Sequence, residues 1–329
     1  MESLALCARA HRRSDPWWPI LPGTLTPSAQ RLDDLLRGSG LLVMPCCFDA
    51  LSARLVERAG FPLTFMSGFA VSAARLAVPD AGLISYAEML DQGRAICEAV
   101  SIPVIGDGDT GYGNPANVRR TVEGYARAGF AGVMIEDQLA PKRCGHTRGK
   151  EVVPRPEALA RLRAAVDARN EGAGICIVAR TDARASLGLD EAIWRLRAFA
   201  ELGADVLFLE APRSEAEMAA FCAQVPGVRM ANMLEEGDTP ILPPERLAAL
   251  GYRIAAYPLT LLNSAVYAMQ EALADLKAGR TPTRRVEFAA IRELVGFAGY
   301  DEILARYDAG RGADLAVGAP PADEGSDHE

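Results

Sequence analysis

The sequence predicts an α/β chain folded as a (β/α)8 TIM barrel with extra C-terminal helices, on three observations. Short, continuously apolar runs alternate with longer segments of helical spacing, and the alternation occurs eight times. The runs lack the in–out alternation of a half-exposed sheet, as expected for parallel strands covered by helices. Glycines Gly60, Gly129, Gly203 and Gly251 stand where helices should stop before the next strand. An open doubly wound sheet is the alternative, but no glycine-rich dinucleotide fingerprint follows the first strand.

In chain order the predicted strands are Leu42–Cys46, Leu63–Met66, Ile102–Ile105, Gly132–Ile135, Ile175–Ala179, Val206–Leu209, Val228–Ala231 and Arg253–Ala256. Helical spacing covers Ala50–Ala59, Tyr86–Ala99, Pro115–Ala128, Pro156–Ala168, Leu189–Leu202, Glu215–Gln224 and Pro244–Leu250. After the eighth strand, Leu261–Ala278 reads as a long helix and Arg284–Arg306 as one or two more. The expected organisation is a loose extension over 1–25, the barrel and its C-terminal helices over 26–308, and a disordered acidic tail over 309–329.

Of the 329 residues half are apolar, enough for a large core, and the net charge of -8 argues against a nucleic-acid or anionic-membrane surface. No apolar run approaches membrane-spanning length. The first residues are Arg-rich, in the manner of some transit peptides, but lack the apolar core of a secretory signal. Seven scattered cysteines form no CxxC pair, which argues against a disulfide framework or a thiolate zinc site and suggests a cytoplasmic setting.

Nearly every strand ends in a residue that an ordinary core would not carry: Asp49, Ser67, Asp107 with Asp109, Glu136 with Asp137, Arg180 with Asp182, Glu210, Asn232, and Pro258 with Thr260. That rim is where barrels assemble active sites. Asp107 and Asp109, two apart, would share a face in extended backbone, and close carboxylates repel unless a cation intervenes. With Glu136 from the next strand, and Asp80 from the loop after the second, they suggest an all-oxygen site for Mg2+ or Mn2+. Arg180 would grip a substrate carboxylate bidentately, or form a structural bridge to Glu210 or Asp182. After the fourth strand, Lys142–Arg143–Cys144–Gly145–His146 crowds cations, a thiol and an imidazole together. The cations would favour thiolate at Cys144; the alternative is a solvated loop.

These motifs, with Ser67–Gly68, Pro79–Asp80, Glu210–Ala211–Pro212 and Ala231–Asn232–Met233, resemble the isocitrate lyase/phosphoenolpyruvate mutase superfamily from about Pro45 to Ala278. The resemblance implies a Mg2+-dependent barrel acting on small 2-oxo or 2-hydroxy acids, usually a homotetramer with exchanged C-terminal helices. By position, Asp107, Asp109, Glu136 and Asp80 would hold the metal directly or through water. Ser67 and Gly68 would donate to the pyruvoyl or glyoxyloyl carboxylate, with Arg180 on the same fragment. Gly145 falls among the substrate-binding positions, and His146 and Asn232 would contact the other carboxylate.

Within the superfamily, Cys144 matches the acid of the lyases, which the phosphonate-forming mutases lack. The loop Lys142–Lys150 looks most like the 2-methylisocitrate lyase, 2,3-dimethylmalate lyase and petal-death group. Two positions depart from parts of the pattern. Pro258 stands where dedicated oxaloacetate hydrolases carry serine, and Phe65 where many lyases carry tyrosine. The expected reaction is retro-aldol cleavage of a substituted malate, a di- or tricarboxylic acid, to pyruvate or a related 2-oxo acid plus a second acid. Cys144 would protonate the second product, Lys142 and Arg143 would supply electropositive surroundings, and Glu210 or a metal-linked carboxylate would be the base. Competing readings are an oxaloacetate hydrolase or decarboxylase, a phosphoenolpyruvate mutase-like enzyme, and a non-catalytic binder on the same scaffold.

Overall fold

A computed structural model of the chain describes residues 23–144 and 149–308. One compact unit runs to Tyr267 and a second begins at Ala268. The segments 1–22 and 309–329 lie outside the described residues, as do Gly145 and His146.

The chain enters through α1 (Pro27–Arg37), capped by the Thr26 hydroxyl on the Ala29 amide, with proline at the first helical turn. Eight strands then close into a parallel barrel in sequence order: β1 (Leu42–Cys47), β2 (Thr64–Met66), β3 (Val104–Asp107), β4 (Gly132–Glu136), β5 (Cys176–Thr181), β6 (Val206–Leu209), β7 (Val228–Asn232) and β8 (Ile254–Tyr257). The β1–β8 register, Leu42 opposite Ile254 through Pro45 opposite Tyr257, seals the ring. Between strands run α2 (Ala50–Arg58), the short α3 (Gly68–Val71), α4 (Tyr86–Ala99), α5 (Pro115–Arg127), α6 (Arg155–Ala168), α7 (Ala183–Leu187) with α8 (Leu189–Leu202), α9 (Glu215–Gln224) and α10 (Pro244–Leu250). The helices α11 (Thr260–Lys277), α12 (Phe288–Val295) and α13 (Phe297–Asp308) follow the barrel.

All eight expected strands form, but most reach one or two residues further at their C-terminal ends. Hydropathy stops at the first polar residue, whereas the ladder continues through it: Glu136 pairs with Arg180 and Asn232 with Ala256. This extension is what sets polar groups on a rigid rim. The four helix-stopping glycines take the expected positive φ, from +84° at Gly60 to +103° at Gly251.

Two apolar layers make the core. One lies between strands and helices; the other fills the barrel interior with Met44, Phe65, Met134, Phe208 and Met230. Helix α1, which the strand–helix count passed over, belongs to the interior layer through fully buried Ala29 and Leu32. Its apolar residues meet Cys176 at the start of β5, whose Sγ lies 3.8 Å from the Ala29 carbonyl. It therefore closes the barrel at the strands' N-terminal end, opposite the polar rim. On the outer side of β3, Tyr125 stacks on Phe130 with centroids 4.7 Å apart. A Cβ at Gly106 would come within 2.6 Å of both rings, so glycine there lets the stack seat.

Candidate active site

At the C-terminal rim, Asp107 is fixed from two directions. Its Oδ1 accepts from the Asp109 amide at 3.0 Å and its Oδ2 from the Gly68 amide at 3.2 Å. A Cβ on residue 68 would lie 2.6 Å from Oδ2, so the approach requires glycine. The Tyr125 hydroxyl donates to the Asp107 carbonyl at 2.6 Å, anchoring the strand end from outside the barrel. Asp109 departs from the extended geometry expected of it: its φ is +49°, because the chain turns just after β3. Its side chain therefore diverges from that of Asp107 and meets Lys142, whose Nζ lies 2.7 Å from Asp109 Oδ1 and 2.5 Å from Asp80 Oδ1.

Ser67 caps α3, its hydroxyl accepting from the Ala70 amide. Asp49 caps α2 and lies outside the pocket. Arg180 forms a bidentate pair with Asp182, Nε at 2.8 Å and Nη2 at 3.0 Å, and also faces Glu136 at 3.3 Å and Glu210 at 3.6 Å. The structural bridge foreseen as its alternative role is thus present. The Asn232 amide donates to Glu210 Oε1 at 3.3 Å.

Part of this set borders one pocket; Asp109, Glu136, Lys142 and Asp182 are not on its lining. Asp80, Asp107, Arg180, Glu210, Asn232 and Cys144 line it, as do Ser67 and Pro258. Its floor is apolar, formed by Phe65, Met134, Phe208 and Met230, with Phe69, Leu234 and Leu259 also on the wall. Lys142 is buried at the acidic edge, whereas Arg143 is exposed, with only its backbone clamped by the Gln138 side chain. The sequence reading missed Phe208, which lies 5.5 Å beneath the Arg180 guanidinium, and Lys150, 3.3 Å from Asp182. Phe208 was legible in principle as the inward-facing position of β6 two residues before Glu210.

Burial dominates the electrostatics. It pushes Asp107 and Asp109 above the usual carboxylate range, partly countered by Lys142 and Arg180. Glu136 is raised well above that range, chiefly by burial. Burial alone would favour neutral Lys142 and Arg180, but the surrounding carboxylates outweigh it and hold both protonated.

Among the described residues, no three His, Cys, Asp or Glu side chains converge as a ready-made metal cage. The reason is visible in the geometry: Lys142 and Arg180 stand between the acids. The donor chemistry nevertheless fits a hard divalent cation. Six buried carboxylates (Asp80, Asp107, Asp109, Glu136, Asp182, Glu210) face three buried cations (Lys142, Lys150, Arg180). Glu136 Oε1 is buried with no hydrogen-bond partner. Mg2+ keeps several waters and needs only one or two direct carboxylates, so it does not require a full protein cage.

The family model for phosphoenolpyruvate phosphomutase matches residues 32–277. A 2,3-dimethylmalate lyase from Eubacterium barkeri is 40% identical over 288 residues, covering 86% of this chain and 99% of the relative. The solved oxaloacetate acetylhydrolase complex with 3,3-difluorooxalacetate aligns with a TM-score of 0.82 at 38% identity, covering 87% of this chain and 97% of that one. A phosphonopyruvate hydrolase complex with oxalate and Mg2+ aligns with a TM-score of 0.76 at 32% identity, covering 86% and 99%. The chain belongs to the phosphoenolpyruvate mutase/isocitrate lyase superfamily. It is an enzyme of that superfamily's carbon–carbon lyase group.

Proposed function

We propose that the enzyme cleaves a substituted malate, of 2-methylisocitrate or 2,3-dimethylmalate type, to pyruvate or a related 2-oxo acid and a second carboxylic acid. The observation that carries this reading is the composition of one pocket: Cys144 and Glu210, an arginine, and an apolar floor suited to alkyl groups rather than further charge. Mg2+ (or Mn2+), held by Asp107, Asp109, Glu136 and Asp80 directly or through water, would supply Lewis-acid stabilisation of negative charge on the substrate's oxygens.

The chain's own groups then divide the work. Arg180, with the Ser67 hydroxyl, holds one carboxylate, while the Gly68 amide expected to join them is engaged by Asp107; Asn232 and the loop residues Gly145 and His146 hold the other. Glu210 is the base we assign. It lines the pocket, where the Asn232 amide on its Oε1 and the Arg180 guanidinium at 3.6 Å hold its carboxylate in place. Glu210 takes the hydroxyl proton, the adjacent carbon–carbon bond breaks, and its electron pair passes to the departing acid's carbon. The Cys144 thiol protonates that carbon, and the proton held by Glu210 restores the thiol. Lys142, bound to Asp80 and Asp109, and the exposed Arg143 precede the thiol as the two cations nearest to it in the chain.

Hydrolysis of oxaloacetate is the second reading, favoured by the likeness to the acetylhydrolase. Pro258, which lines the pocket without a hydroxyl, speaks against it. Cys144 speaks against mutase chemistry. A pyruvate-release assay over 2-methylisocitrate, 2,3-dimethylmalate, isocitrate and citramalate tests the proposal. Release from the alkylated substrates is expected; a panel without turnover, alongside oxalate formed from oxaloacetate, overturns it. We place the enzyme in the cytoplasm as a homotetramer. The buried, undisulfided Cys46, Cys47, Cys176 and Cys222 and the exposed apolar side chains of α12 and α13 support that placement.

A further inference from the structure

Behind the barrel wall, away from the pocket, lies an ion pair that the reaction above does not use. Strand β4 ends in Glu136, facing inward, and the next residue, Asp137, faces outward, continuing the alternation. Asp137 meets Arg195 of α8 at 3.0 Å, and both side chains are 2% exposed. We propose that the Asp137–Arg195 pair is a positioning pair that sets the orientation of Arg180, the carboxylate-binding arginine on the inner face; the inference rests on that reading of the pocket.

The connection is short and continuous. Asp137 Oδ2 also accepts from the Thr181 hydroxyl at 2.6 Å, and its Oδ1 accepts from the Asp182 amide at 2.9 Å. Both acceptors seize the chain where β5 ends, at the two residues after Arg180. With its backbone pinned, Asp182 presents its carboxylate to Arg180 Nε and Nη2. Arg180 needs this, because Glu136 and Glu210 lie within 3.6 Å and compete for the same guanidinium. A bidentate fork selects one plane among the three partners.

The same pair fastens the returning limb of the Cys144 loop. The Val153 amide donates to the Asp137 carbonyl at 2.9 Å, and Arg195 Nη1 donates to the Val153 carbonyl at 2.9 Å. Lys150, on that limb, reaches Asp182 at 3.3 Å. Asp137 thus ties the loop's exit, through its backbone carbonyl, and the arginine's support, through its carboxylate, to one residue. Burying two charges costs several kcal/mol of desolvation per ion, and apolar replacements of such pairs are often no less stable. Stability alone gives little reason for an ion pair at this position; orientation does.

The test uses the full chain loaded with Mg2+ and oxalate as the probe. Arg195→Met removes the pair, and Thr181→Val removes one link while leaving the pair intact, so an unfolded first variant does not end the experiment. Each should weaken oxalate binding by about tenfold or more, the scale typical of groups that orient a binding residue. Mg2+ affinity, measured separately by calorimetry, should stay within about twofold, a split that general loosening would not give. Crystal structures of the variants should show the Arg180 guanidinium turned from Asp182 toward Glu210, which is not among the proposed Mg2+ ligands. Unchanged oxalate affinity, or an Arg180 still paired with Asp182, overturns the proposal even if the melting temperature falls. Failure of the parent chain to bind oxalate counts against the reading of the pocket, and the guanidinium position then decides the pairing by itself.

Discussion

Cys144 is half-buried on the pocket wall, while Cys46, Cys47, Cys176 and Cys222 are buried. If the thiol is the proton donor, Cys144→Ser should lower turnover by roughly 10²–10⁴-fold with Mg2+ binding retained; near-normal turnover would refute the role. The other thiols give a pH-resolved control. Burial pushes Cys47 and Cys97 up to about 12 and Cys222 to about 11. A thiol reacts as thiolate, which forms only as pH approaches the pKa. Iodoacetamide mapping by mass spectrometry should therefore reach Cys97 and Cys222 only in strongly alkaline solution, with the less buried Cys144 on the pocket wall as the comparison. The acids, Arg180 and Asn232 were legible in the sequence because polar residues ending apolar runs are conspicuous. The bonds they make were not: nothing in the text shows Gly68 donating to Asp107, or Lys142 lying between Asp80 and Asp109.

Helix α1 and strand β3 show what a pattern of apolar runs can and cannot reveal. The boundaries of α4, α8, α9 and α10 match their apolar periodicity to the residue. Helix α1 carries Ala29, Leu32 and Leu36 on one face with a threonine cap, yet it precedes the repeat, and its role as a barrel plug depends on closure of strands far along the chain. The short α3 and the turns after it are set by the Ser67 cap and by Asp107, not by periodicity. Leu32, fully buried against the barrel interior, offers a test of the plug. Leu32→Ala should cost about 2–5 kcal/mol in urea unfolding, the usual price of such a truncation, with KM for the substrate little changed because the pocket lies at the other end. A large KM change without loss of stability would contradict that separation.

Considered whole, the chain couples a closed barrel to helices whose apolar side chains stay in solvent. Phe288 is 76% exposed and Tyr307 73% exposed, more than an isolated surface usually leaves uncovered. Light scattering after size exclusion should report a tetramer of the 35.1 kDa chain, and Ile303→Glu, half-exposed on α13, should reduce the mass toward smaller species. A monomeric parent chain would refute the assembly. Among the described residues no helix is long and apolar enough to cross a membrane. Closure of the barrel was predictable from counting eight units; the homotetramer is expected only from the family resemblance, because the apolar spacing of α12 and α13 does not name what would cover that face.

Lys142 gives the cysteine loop a measurable tether. Its ammonium is bound to two carboxylates on separate rim loops, and the thiol stands only two residues further on. Two residues of fully extended chain span at most about 7 Å. Cys144 can therefore swing only on a short leash while Lys142 stays docked, and any wider opening of the mouth must first break both ion pairs. The reach of the thiol is set by the length of chain between it and the anchor at Lys142.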